Sequence, residues 1–187
     1  MVTNTVATNQ QMTHFDQHDY VWLFGYGSLI YKVDFPFLER RPARIHHWVR
    51  RFWQGSHDHR GTPESPGRVL TLVKQPGAIC VGMAYRITPG EFAHLDHREK
   101  NGYLRLLTEI EFQDQSSVEG VFYVARDDNA AFLGPASDIE IADQIAAAEG
   151  PSGTNRDYVL QLADALRQLG EVDAHVFAIE QRLTRLK

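Results

Sequence analysis

The sequence has one cysteine, fewer cations than anions, and no apolar run near the roughly 20 residues that span a bilayer as a helix. A lone cysteine excludes an internal disulfide and a cysteine-based zinc site. Cys80 lies within ICVGMAYRI and reads as a buried structural thiol. With 19 Lys and Arg against 24 Asp and Glu, a net charge of -5 excludes a sequence-independent phosphate-binding surface, so nucleic acid is not an expected partner. Residues 1–20 contain no Lys or Arg and no apolar core. Lacking both parts of a secretory signal, they read as a loose N-terminal extension of a cytoplasmic protein, with no membrane partner. Nucleotide fingerprints are also missing. The loop Gly25-Tyr26-Gly27-Ser28 is followed by Ile30 where G-x-G-x-x-G needs glycine, and no GK[ST] follows it. The same Ile30 removes the G-x-S-x-G pattern that would make Ser28 a hydrolase nucleophile.

What remains suits a single domain over residues 21–187, since a chain of 187 residues buries roughly 70% of its unfolded surface. Strands are predicted over 21–24, 46–54, 68–73, 79–87, 104–112 and 118–125, each rich in β-branched or aromatic residues and bounded by turn formers. Helices are predicted over 138–148, 155–169 and 173–186. In the second of these Tyr158, Leu162, Leu166 and Leu169 share one face. Strands without regular βαβ alternation imply an α+β fold with a curved or barrel-like sheet.

One further helix interrupts the strands. Thr88-Pro89-Gly90-Glu91 has the form of a capping box opening a helix through EFAHLDHREK, with Gly102 as its stop. At about 100° per residue, Phe92, Leu95 and Glu99 fall on one stripe, so a carboxylate stands where a leucine belongs, while Glu91, His97, Arg98 and Lys100 point elsewhere. Two readings follow: Glu99 swings out or pairs with a buried arginine, or it is a general base whose pKa an apolar pocket raises. In the GYGS loop the two glycines permit positive φ and close ligand approach, and successive N–H groups can hold a carboxylate or an oxyanion; a bulge or tight strand exit gives the same letters. His57 and His59 would share one face of a strand, but no third ligand stands at a recognised spacing, so no metal is expected.

Six motifs in order, FGYGSLI at 24–30, RRFWQGSHDHRG at 50–61, PGRVLTLV at 66–73, LDHREKNGY at 95–103, LGPAS at 133–137 and GPSGTNRDY at 150–158, resemble the ChaC family of glutathione-specific γ-glutamylcyclotransferases. The resemblance implies a γ-glutamylcyclotransferase-like mixed β-barrel with surrounding helices. It implies a cofactor-free lyase that takes the small molecule glutathione to 5-oxoproline and Cys-Gly, with no obligate protein partner. It places the catalytic glutamate on Glu99 and the substrate loop on Leu23, Phe24, Gly25, Tyr26, Gly27 and Ser28. Tyr103 and Tyr158 are further substrate-binding candidates, each with a core role as the alternative. Arg50, Arg51, Arg60 and Arg68 are candidates to hold the two carboxylates of glutathione, against ordinary salt bridging. Related cyclotransfer on other γ-glutamyl amines or amino acids, and a non-catalytic γ-glutamyl-peptide binder, remain as alternatives.

Overall fold

A computed structural model describes residues 4–186. Five strands close a barrel in the order β1-β3-β2-β4-β5: β1 (Val21–Gly25), β2 (Glu39–Ser56), β3 (Gly67–Ile87), β4 (Tyr103–Phe112) and β5 (Ser117–Ala125). All neighbours are antiparallel except β1 and β5, which meet in parallel at Leu23 and Val121 and seal the barrel. That one parallel seam makes the barrel mixed. Closure also removes the unpaired edges that an open sheet of this length would expose.

The strands predicted over 68–73 and 79–87 are one continuous strand, β3. Lys74-Gln75-Pro76-Gly77 reads as a turn, yet it stays within the strand as a bulge, because residues 75–78 of β3 stand opposite His47 alone between the pairs His46–Ile79 and Trp48–Lys74. His47 adopts φ 70°, and its Nδ1 accepts the N–H of Gly77 at 3.0 Å. The bulge lets a proline and a glycine pass through the sheet on its exposed side. β2 also begins earlier than the predicted 46, because Glu39 to Ile45 pair with Arg86 to Cys80 despite Pro42 and four charged residues.

Helices α3 (Asp138–Ala147), α4 (Asn155–Gln168) and α5 (Ala174–Arg185) pack on the barrel in the last third of the chain, as the periodicity predicts. Ser137 caps α3 through a complete capping box, and Thr154 and Asp173 cap the other two by accepting from the third residue onward. Leu162 and Leu166 of α4 are fully buried. No helix among the described residues is long and apolar enough to cross a membrane.

Helix α2 (Phe92–Arg98), between β3 and β4, is entered through a 3-10 turn over Pro89–Glu91. Thr88 has the extended backbone of an N-cap, but its side chain makes no capping bond. The expected capping box is therefore reduced to a backbone bond from Glu91 N–H to Thr88 C=O at 3.1 Å. Gly102 ends the segment at φ +86°, a conformation that glycine adopts without strain.

Residues 1–3 of the predicted loose extension lie outside the described residues; in the remainder Thr5, Asn9 and Phe15 are buried against the fold, and residues 16–20 are exposed. α1 (Val6–Asn9) lies against the start of β4. Thr5 N–H donates to Lys100 C=O at 3.0 Å, Asn9 donates to Tyr103 C=O at 3.1 Å, and Phe15 is buried. Polar composition concealed this, because the anchors are single side chains satisfying backbone groups on either side of the α2–β4 turn.

Candidate active site

Glu99 is the last residue of the α2 turn, and its position follows from how α2 is anchored. Phe92 and Leu95 bury into the barrel, and Asp96, next to Leu95, is buried as well. Asp96 accepts from the Tyr123 hydroxyl at 2.6 Å and pairs with Arg105 Nε at 3.3 Å, while the Arg105 guanidinium lies 3.7 Å from the centre of the Phe92 ring. A helix held this way cannot rotate. Its final N–H bond, Glu99 to Leu95 at 2.9 Å, directs the Glu99 side chain inward, where only 16% of it is exposed. Thr5 covers the same turn from outside, with its Oγ1 3.1 Å from Lys100 C=O.

Two adjoining chambers meet at this carboxylate. The inner one, about 40 Å³, is enclosed by Phe24, Tyr26, Gly27, Ser28, Leu29, Leu70, Tyr123 and the shared residues Glu99, Tyr103 and Tyr158. The outer one, about 170 Å³, adds polar residues including Lys32, Asp34, Asp58, Arg60 and Arg98. Ser28 also borders both.

The charge state of Glu99 follows from these surroundings. Burial pushes its carboxyl above the ordinary value; Arg98 opposes this, and Asp34 and Asp58 reinforce it. The C-terminal end of α2 acts in the same direction, because unpaired carbonyls disfavour a neighbouring anion. Arg98 Nε lies 3.3 Å from Glu99 Oε1. Glu99 is therefore paired with an arginine and also borders both chambers.

Arg98 is the residue that helix periodicity missed. It was expected to point to solvent, yet its side chain is 13% exposed, because α2 ends there and the guanidinium turns back over the site. It pairs closely with Asp34, and donates to Lys32 C=O at 3.1 Å and to Ser28 Oγ at 3.1 Å. One arginine thus ties the Glu99 turn to the GYGS loop. Adjacency to Glu99 was a usable signal; its partner Asp34, 64 residues away in sequence, gave none.

The loop itself divides. Phe24, Tyr26, Gly27 and Ser28 line the inner chamber, whereas Leu23 is fully buried in the barrel wall and Gly25 packs under Leu29. Neither glycine has the positive φ that the sequence suggested. Close packing requires glycine at Gly25, where a Cβ would stand 2.8 Å from Leu29 Cβ, whereas at Gly27 a Cβ would meet the Tyr158 hydroxyl at an ordinary 3.4 Å, at the chamber wall. The N–H groups of Gly27 and Ser28 have no backbone acceptor among the described residues. They lead a 3-10 turn over Ser28–Ile30, where such donors are ordinarily left free.

Tyr103 and Tyr158 are both held by the backbone of one residue, Leu70. The Tyr103 hydroxyl donates to Leu70 C=O at 2.6 Å, and the Tyr158 hydroxyl accepts from Leu70 N–H at 3.2 Å. Tyr103 is left with lone pairs and Tyr158 with a proton to offer the chamber. Burial pushes the Tyr158 phenol up to about 12 and that of Tyr103 well above its usual range, so both stay neutral donors or acceptors at physiological pH.

Among the described residues no group of three His, Cys, Asp or Glu is placed to hold a metal ion. His46 bonds Glu111 at 2.6 Å and His59 approaches Ser152 at 3.2 Å.

A closed five-stranded mixed barrel with surrounding helices is the γ-glutamylcyclotransferase fold. A solved yeast γ-glutamylcyclotransferase described as specific to glutathione superposes with a TM-score of 0.84 at 30% identity, covering 91% of this chain and 98% of its own. The chain belongs to the ChaC-like protein family, whose model matches residues 21–186. Gamma-glutamylcyclotransferase 2-3 of Arabidopsis thaliana is 45% identical over 83% of this chain and 84% of its own length. Glutathione-specific gamma-glutamylcyclotransferase 1 of Danio rerio is 39% identical over 87% and 88%.

Proposed function

We propose that this protein cyclises the γ-glutamyl unit of glutathione, releasing 5-oxoproline and Cys-Gly, with Glu99 as general acid and base. The observation that carries the reading is the Glu99 carboxylate, enclosed and raised in pKa, at the junction of a small chamber fit for the reacting head and a larger one fit for the peptide tail. The names of the relatives point to the same chemistry. The proposal includes a cytoplasmic site of action, where glutathione keeps thiols reduced.

The reaction supplies its own nucleophile. The substrate α-amine attacks the γ-amide carbonyl, the C–N bond to cysteine breaks, and the leaving nitrogen takes up a proton. Folding the substrate into attack geometry is worth several kcal/mol, up to about 7–11 in the best intramolecular cases. Glu99 removes a proton from the ammonium and returns one to the departing amine. Tyr103 offers lone pairs to the ammonium. The Tyr158 hydroxyl and the N–H groups of Gly27 and Ser28 are donors for the α-carboxylate and the tetrahedral oxyanion. An isolated γ-glutamyl amine would leave the outer chamber unfilled. A panel of glutathione, γ-glutamylalanine and a γ-glutamyl amine should accordingly show kcat/KM highest for glutathione by at least about tenfold. Equal values across the panel would move the assignment to a general γ-glutamyl cyclotransferase.

The pH profile carries the signature of Glu99. The base must be ionised, so kcat/KM rises with pH through the pKa of Glu99 in the free enzyme, which lies above the ordinary 4.5. Removing Arg98, the cation that lowers this pKa, should shift the acid limb to higher pH in Arg98→Gln. Removing Asp34, an anion that raises it, should shift the limb to lower pH in Asp34→Asn. Identical acid limbs in all three proteins would show that another group controls ionisation.

A further inference from the structure

We infer that Arg60 is the specificity residue of the outer chamber and that its guanidinium receives the C-terminal glycine carboxylate of the substrate. This rests on the proposed reaction and adds to it the recognition of the peptide tail.

Elimination among the four candidate arginines comes first. Arg68 is occupied by Gln144 and by the carbonyls of Phe52 and Gly134. Arg50 is occupied by Tyr26 C=O, Val81 C=O and Asp173. Arg51 bonds Arg50 C=O and borders a different cavity, on the outer side of the barrel. Arg60 alone of the four lines the outer chamber.

Its environment is anomalous for a structural arginine. Arg60 is 8% exposed, and no acidic side chain among the described residues lies within ion-pair distance of it. Its one side-chain hydrogen bond runs from Nη1 to Thr154 C=O at 3.1 Å. Nε and Nη2 have no protein acceptor among the described residues, yet they are not sealed from solvent, which leaves their N–H groups open to the chamber. Enclosing a guanidinium without an anion is costly unless an anion arrives. The other chamber cations differ: Arg98 is neutralised by Asp34 and Glu99, and Lys32 is exposed.

The loop that carries Arg60 is held in place before any ligand binds. Arg60 N–H donates to Ser56 Oγ at 2.9 Å, Ser152 N–H donates to His59 C=O at 2.9 Å, and the guanidinium sits 5.8 Å from the Tyr158 ring. Because Tyr158 borders both chambers while Arg60 borders only the outer one, Arg60 meets the tail of the substrate rather than its reacting head. A planar fork matches a terminal carboxylate bidentately, which a glycinamide cannot reproduce.

The test is calorimetric binding to Glu99→Gln, which does not consume ligand, using glutathione and the same tripeptide with its glycine carboxylate amidated. With Arg60 present, glutathione should bind about 100-fold more tightly than the amide. In Glu99→Gln with Arg60→Met the two should bind within about threefold of each other, because only glutathione weakens. Arg60→Lys, which keeps the charge without the fork, should give an intermediate preference and covers the case in which the methionine variant does not fold. Equal weakening of both ligands, or a preference that survives Arg60→Met, overturns the inference. Absence of 5-oxoproline formation by the wild-type protein would instead overturn the reaction on which it rests.

Discussion

Glu99→Gln should lower kcat for glutathione by about 10³-fold while leaving its affinity within a few fold. The amide keeps the shape of the carboxylate but neither takes the ammonium proton nor returns one to the leaving nitrogen. Stability should move the other way. Burial raises the folded-state pKa of Glu99 above its unfolded value, so its proton is held more tightly in the folded protein. Any stabilisation from that proton is full below the unfolded pKa and is lost as pH rises through the folded one. Above the folded-state pKa the ionised carboxylate therefore opposes folding, and at such pH its removal should leave the melting temperature unchanged or higher, since Arg98 retains Asp34. A variant that keeps a tenth of wild-type kcat would remove Glu99 from the mechanism. One that loses activity by unfolding would leave no folded state with near-normal glutathione affinity, which the same calorimetry detects.

Arg50→Met should destabilise the fold by about 3–5 kcal/mol, because it leaves Asp173 without its buried partner and strips donors from two carbonyls. For a chain of this size that is a fall in melting temperature on the order of 10 °C. A kinetic effect should accompany it. Arg50 Nε holds Tyr26 C=O at 2.7 Å, and the Gly27 N–H belongs to the same planar trans peptide and points away from that bond. Pinning the carbonyl on the barrel side thus aims the N–H toward the inner chamber. At a temperature where the variant is folded, kcat should fall more than KM rises, with the acid limb of the pH profile unmoved because Glu99 is untouched. A change confined to the melting temperature would mean that Arg50 supports the fold without orienting the loop.

The contrast between Glu99 and Arg98 shows how far the sequence was legible. Glu99 could be found because helix period and apolar neighbours are local properties, and Phe92 and Leu95 define its face. Arg98 could not, because its direction depends on where α2 stops and on Asp34, brought near only by closure of the barrel. The same limit explains β3, where Pro76 and Gly77 carry turn chemistry that a bulge opposite His47 of β2 absorbs. Helices α3 to α5 were read nearly to their ends, since capping residues and periodicity are both written locally. The GYGS loop lay between these cases: Phe24, Tyr26, Gly27 and Ser28 line the inner chamber, while Leu23 and Gly25 are packed in the wall, and neither glycine takes the positive φ that the letters suggested.

In the proposed reaction the γ-amide carbonyl carbon of the γ-glutamyl unit is attacked by its own amine and not by water or another acceptor. It is tested most directly by incubating the purified protein with glutathione and quantifying 5-oxoproline, Cys-Gly and free glutamate together. Equal amounts of 5-oxoproline and Cys-Gly with no glutamate are expected. Glutamate in place of 5-oxoproline, or no loss of glutathione, would contradict it.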